Sequence, residues 1–274
     1  MTKLNVDRRR AIGGVAAGVG LAAAAAASST VVGGAHAQAG SKTFLLVHGS
    51  FCGGWYWRRV ADRLEGNGHK VFAPTLAGLG EHSHLLNKDI NLDTHITDIV
   101  NLIKWEDLSD ICLVAHSYAG WPASGALEQV GQRVSSIVWV DAFKPDDGQK
   151  ALDVVNETIR KAALAAVEKG EAGLPPAPAV LFLVNERDRA YADSKFTPQP
   201  VGAYLQPIKL SGARDKVARK TYIRCTRFPA PAFNKAMTEC KADPSWTVIE
   251  NTTSGHVIML DESEWLADTL MKIA

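Results

Sequence analysis

The 274-residue chain has no surplus of either charge: 30 Lys and Arg stand against 29 Asp and Glu, a formal net charge of +1. Without a basic excess there is no electrostatic footprint for nucleic acid as a partner. Cysteine is scarce, at four residues, and none falls in a C-x-x-C or Cys…His spacing that would hold a metal. The chain lacks the Gly period of collagen, the charge bias of a disordered chain and the repeated long apolar runs of a multi-span membrane protein. What remains, at 46% hydrophobic and 22% charged, suits one large α/β domain or two small ones.

Charge is missing locally as well. Asp7-Arg8-Arg9-Arg10 is followed by an Ala/Gly-rich stretch, Ala11 to Ala27, without a single ionisable side chain, and then by Ala35-His36-Ala37 and Ala37-Gln38-Ala39. A basic n-region, an apolar h-region and an A-x-A site make up a secretory signal peptide, expected over residues 1–37 with cleavage after Ala37 or Ala39. The paired arginines resemble the twin-arginine type, although Asp7 and Ala11 replace the usual Ser/Thr and Phe. An uncleaved anchor is the alternative, and the scarcity of Leu and Ile makes it a weak span. The expectation is a periplasmic or secreted protein, with the export machinery as a partner. Cleavage after Ala37 leaves 26 basic and 28 acidic residues, so the remaining domain is mildly acidic. Export permits disulfides among Cys52, Cys112, Cys225 and Cys240. Cys112 lies in an apolar strand and is expected to be inert; Cys225 with Cys240 is the pair whose spacing allows a bridge.

From residue 38 onward, β-rich runs recur at Thr43–Val47, Lys70–Ala73, Ile111–Ala115, Ser136–Val140, Thr221–Cys225 and Trp246–Glu250. Phe44-Leu45-Leu46-Val47 and Ile111-Cys112-Leu113-Val114 are almost continuously apolar, as strands covered on both faces require. Between them Ile96, Ile99, Val100 and Ile103 form a helical stripe, and Trp57–Leu64 and Trp265–Ile273 read the same way. The alternation predicts a doubly wound, mostly parallel sheet of about six strands, with its site along the strand C-termini. Some eighty residues between Val140 and Thr221 exceed one crossover. They are expected to form a helical cap, at about 144–220, with Leu152–Lys169 as a helix and Pro175-Pro176-Ala177-Pro178 interrupting it.

Three strand ends carry chemistry. Ala115-His116-Ser117-Tyr118-Ala119-Gly120 follows a buried strand and precedes a helix, the setting of a nucleophile elbow in which Ala replaces both glycines of G-x-S-x-G. His48-Gly49-Ser50-Phe51 follows the first strand, where the Ser50 N–H can pair with the Tyr118 N–H as an oxyanion hole. His256, in Ser254-Gly255-His256, can reach the serine from the last strand as general base. The other histidines compete poorly: His48 is expected to brace its loop, His95 to face out of its helix, and His82-x-His84 lacks a third metal ligand. Phe51 and Trp121 are expected, with Tyr118, to line an apolar pocket. At least one of Trp55 and Trp57 is expected in the core.

These segments, with Gly78-Leu79-Gly80-Glu81-His82-Ser83-His84, Val140-Asp141-Ala142-Phe143 and Gly255 to Leu260, resemble the α/β-hydrolase branch that holds plant methylesterases and hydroxynitrile lyases, together with its bacterial esterase relatives. The resemblance implies Ser–His–Asp ester hydrolysis on a small-molecule ester, without metal or organic cofactor. In that family the acid usually follows the seventh strand of the full fold, where this chain has Phe228. Asp141 is the replacement, and Ser117…Asp141…His256 keeps the family's chain order; the alternative is a Ser–His dyad, with Asp141 bracing the cap. Two rivals stand beside hydrolysis. The lyases carry Thr and Lys where this chain has Gly49 and Val257, and a non-catalytic ligand-binding protein could share the fold.

Overall fold

Strict alternation of apolar side chains within the central strands covers both faces of one sheet, and the computed structural model, which describes residues 40–274, shows how. Six strands, β1 (Thr43–Val47), β2 (Lys70–Phe72), β3 (Ile111–His116), β4 (Val134–Val140), β7 (Arg219–Cys225) and β8 (Trp246–Asn251), run in the order β2-β1-β3-β4-β7-β8. Every neighbouring pair is parallel. Leu45, Val47, Leu113, Ala115, Ile137 and Trp139 point to one face. Phe44, Leu46, Cys112, Val114, Val138 and Val140 point to the other. This is the period of two that a pleated strand imposes.

Helices close both faces. On the first pack α2 (Leu92–Trp105), α3 (Gly120–Val130) and α8 (Pro231–Ala242); on the second, α1 (Arg58–Gly66), α9 (Ile258–Asp261) and α10 (Ser263–Ile273). The fold is that of an α/β hydrolase, and the signal segment expected at residues 1–37 lies outside the described residues. Cys225 belongs to the second face and Cys240 to the first, so the sheet itself separates them. The bridge allowed by their spacing is not formed; all four thiols are free and buried. Burial pushes the Cys112 thiol up to about 11, which keeps it protonated and inert.

The segment between β4 and β7 carries α4 (Ala151–Val154), α5 (Glu157–Glu168), a short antiparallel pair of β5 (Gly173–Leu174) with β6 (Gln199–Pro200), α6 (Glu186–Lys195) and α7 (Gly202–Leu205). The single helix expected over Leu152–Lys169 is two. Val155 is extended (φ −68°, ψ 159°), and Asn156 caps α5 by accepting the Ile159 N–H at 2.9 Å. An Asn side chain that satisfies the first turn of the next helix ends the preceding one locally. Asn185 caps α6 in the same way. The fork from Arg59 on α1 to Asp188 on α6, 2.9 and 2.6 Å, ties this segment to the body of the fold.

Candidate active site

Strand β3 ends at His116, and the chain turns so sharply that Ser117 takes φ 55°, in the left-handed region that non-glycine residues seldom enter. Small neighbours make the turn possible: Ala115 and Ala119 are both fully buried, so Ala serves where the elbow usually has Gly. At Gly120 even a methyl group is excluded, because a Cβ would sit 1.9 Å from the Phe143 carbonyl oxygen. The turn raises the Ser117 hydroxyl toward His256, with Oγ 2.9 Å from Nε2. The other ring nitrogen, Nδ1, lies 2.6 Å from Asp141 Oδ2. A buried carboxylate accepts, so Nδ1 carries the proton and Nε2 is left to accept from the serine. Asp141 follows β4, one strand over from the serine, with φ 43°. Ser117, His256 and Asp141 therefore form one unbroken hydrogen-bonded line.

Phe228, which stands where the resemblance puts an acid, stacks on the His256 ring instead, centroids 4.5 Å apart and planes 21° apart. Phe233 stacks on it at 5.4 Å. The far oxygen of Asp141, Oδ1, accepts from Arg224 Nη1 at 2.6 Å and from the Cys225 N–H at 3.1 Å. Arg224 was not recognisable as part of the site from sequence. β7 also carries Arg219 and Lys220, so one more basic residue in it gives no local signal; its burial beside Tyr222, Ile223 and Cys225 shows in the structure alone.

The loop after β1 supplies the other wall. Its Ser50 N–H, like the Tyr118 N–H after Ser117, has no partner among the loop and turn hydrogen bonds of the described residues. The Ser50 hydroxyl bonds the Tyr204 hydroxyl of α7 at 2.5 Å. His48 braces this loop: Nδ1–H donates to the Gly49 carbonyl at 2.8 Å and Nε2 accepts the Leu76 N–H at 2.9 Å. Burial lowers its pKa to about 4 and keeps it neutral. His116 is neutral for the same reason, held well below its ordinary value by burial and the neighbouring His256. Its Nε2–H donates to the His256 carbonyl, and its Nδ1 accepts from the Tyr56 hydroxyl.

Phe51 lines a cavity of about 420 Å³ that opens onto Ser117 and His256, with Phe143, Phe182, Phe196, Phe228 and Phe233. These six are drawn from the eight phenylalanines of the whole chain, so the aromatic content is concentrated at the site. Trp121 does not line it, contrary to expectation. The close approach at Gly120 drives the start of α3 into the core, and the Trp121 ring is fully buried against Phe143. The Tyr118 side chain is also buried, and its hydroxyl donates to His95 Nδ1 at 3.0 Å. That corrects the expectation for His95: it points inward, with Nε2–H on the Ala77 carbonyl, and burial lowers its pKa to about 4. Trp57 is core and Trp55 is half-buried. His82 and His84 turn Nδ1 to the carbonyls of Thr75 and Glu81.

The profile of the alpha/beta hydrolase family matches residues 44–269. The chain belongs to that family. This alpha/beta hydrolase is 33% identical over 236 residues to a carbendazim hydrolyzing esterase of Nocardioides sp. (strain SG-4G), covering 83% of this chain and 97% of that one. It is 26% identical over 247 residues to a putative chloroplastic methylesterase 11 of Arabidopsis thaliana, covering 84% of this chain but 63% of that longer protein. Among solved structures, an extracellular alpha/beta-hydrolase from a Paenibacillus species superposes with a TM-score of 0.74 at 24% identity, over 85% of this chain and 99% of the other, a likeness of fold. A family hydrolase with esterase relatives over most of its length is a carboxylic ester hydrolase.

Proposed function

We propose that this alpha/beta hydrolase is a serine carboxylesterase that cleaves small, uncharged esters with an aromatic or compact apolar group, through an acyl-enzyme. Ser117 Oγ attacks the ester carbonyl while His256 Nε2 takes its proton. The Ser50 and Tyr118 N–H groups receive the developing oxyanion, as two donors fixed by the backbone. The tetrahedral intermediate collapses, the proton on Nε2 passes to the departing alcohol oxygen, and the acyl group stays on Ser117. Water then attacks in the same sense, His256 again taking and returning the proton, and the carboxylic acid leaves. Asp141 holds the ring in the needed tautomer and stabilises the imidazolium.

The observation that carries this reading is the line from Ser117 Oγ through His256 to Asp141, at 2.9 and 2.6 Å. The substrate class follows from the six phenylalanine side chains around the cavity, whose volume of about 420 Å³ lies in the range of small-molecule pockets. Carbendazim, for which the Nocardioides relative is named, is the first single compound to assay. Cyanohydrin cleavage is disfavoured, because Gly49 and Val257 offer neither hydroxyl nor ammonium to cyanide. Ser117→Ala is expected to lower p-nitrophenyl acetate turnover by about four orders of magnitude or more, and a fluorophosphonate should label the wild type at Ser117. Undiminished turnover, or an unlabelled Ser117 as in a non-catalytic receptor, would end the proposal.

We also propose that the chain is exported, on the strength of Arg9-Arg10, the uncharged stretch to Ala27 and the A-x-A sites. N-terminal sequencing of the protein from a bacterial periplasm or medium should start at Gln38 or Gly40. A cytoplasmic protein beginning at its first residues would contradict export.

A further inference from the structure

We propose that Arg224 is a positioning residue of the site: it grips the carboxylate that holds His256 and, by its charge, sets the pH at which His256 becomes free to take the serine proton. The inference rests on the Ser117–His256–Asp141 reading and adds a fourth member to it.

Arg224 is 1% exposed and every one of its five N–H donors is used. Nε donates to Asn234 Oδ1 at 3.0 Å, and Nη2 to the same oxygen at 2.9 Å and to the Phe228 carbonyl at 2.6 Å. Nη1 donates to Asp141 Oδ1 at 2.6 Å and to the Cys225 carbonyl. Four of the five bonds end on neutral acceptors, so Asp141 is the one counter-ion among these partners. Asp141 itself is fully buried and shares its charge between two claimants, Arg224 on Oδ1 and His256 on Oδ2. A buried carboxylate alone would resist ionisation, whereas a guanidinium in contact favours the charged form.

The same contact works against the imidazolium. With a neutral His256 the buried group carries one positive and one negative charge; protonating His256 leaves it with a net positive charge. Arg224 therefore opposes protonation of His256 and keeps it a free base at lower pH than a lone Asp would. The other groups around the pair do not supply this charge. His116 on β3 is neutral, its ring 4.5 Å away. On β7, burial holds the Tyr222 hydroxyl and the Cys225 thiol in their protonated forms, and burial does the same for Cys52 in the β1 loop. Asp261 on α9 accepts the Gly255 N–H and the Asn185 amide. Phe228 and Phe233 are uncharged. Arg224 is the cation in direct contact with the pair.

The test reads the rate of fluorophosphonate labelling of Ser117 against pH, which needs no knowledge of the natural ester. Arg224→Gln removes the charge, and the acid limb of the profile should move upward by about one pH unit, with a slower plateau. Arg224→Lys keeps the charge but loses the fork, so its plateau should fall while the limb stays. Asn234→Asp, at an exposed position, gives Arg224 a second counter-ion and should move the limb upward even if Arg224→Gln does not fold. An acid limb that coincides with the wild type in folded Arg224→Gln, or in Asn234→Asp, overturns the proposal. A wild type that is not labelled at Ser117 instead overturns the catalytic reading beneath it.

Discussion

Ser117 (φ 55°) and Asp141 (φ 43°) both hold a backbone conformation that costs on the order of 1–3 kcal/mol. Neighbouring strands hold them there: the Asp141 N–H donates to the Ile223 carbonyl at 2.6 Å, and the Phe143 N–H to the Ser117 carbonyl at 3.1 Å. The space in front of the serine is just as constrained. A Cβ on Gly49 would lie 2.8 Å from Ser117 Cβ and 3.0 Å from His116 Nδ1. Gly49→Ala is therefore expected to push the nucleophile off line and to reduce kcat/KM by roughly tenfold or more, measured with p-nitrophenyl acetate beside a thermal melt that reports folding. At this scale the sequence marked the two side chains that the structure brings within hydrogen-bond reach, Ser117 and His256, because a serine on a strand-to-helix turn and a histidine after the last strand stand out by local pattern. Arg224 and Phe228 carry no such mark; what they touch is decided by a neighbouring strand and a ring eighty and more residues away or near the C-terminus.

Elements were legible where one physical requirement dominates. Strands buried on both faces must be continuously apolar, and β1 and β3 begin and run almost where the apolar runs do. Helix α2 shows how a pattern can be read too narrowly. Its buried side is Leu92, His95, Ile96, Ile99, Val100 and Ile103, so His95 sits on the apolar stripe, three residues after Leu92 and four before Ile99. Its polarity suggested an outward position, yet a neutral imidazole with both nitrogens bonded costs little to bury. The segment between β4 and β7 was the least legible. Its helices answer to capping by Asn156 and Asn185 and to the Arg59–Asp188 fork, each a choice of one side chain and not of a repeating pattern.

For the molecule as a whole, the buried neutral histidines, His48, His95 and His116, link stability to acidity. His48 and His95 have pKa values of about 4 in the folded protein against 6.5 for the ordinary side chain, both from burial. As pH falls below 6.5 the unfolded chain takes up protons that the folded chain refuses, so stability is intact above 6.5 and lost progressively toward 4. Each histidine accounts for about 3 kcal/mol over that window, and urea unfolding at pH 7 and pH 5 should show a loss of several kcal/mol. Equal midpoints at the two values would mean that these rings do not resist protonation. The placing of Asp141, the carboxylate that His256 contacts, at the end of β4 has a different outcome for the molecule. Because Arg224 grasps the backbone oxygen of residue 228 and the carboxylate at His256 is that of Asp141, position 228 holds a ring where a proton-carrying group would otherwise stand. The bend after β7 can then be reshaped for a new guest by exchanging Phe228, provided the replacement keeps a flat face against the His256 ring.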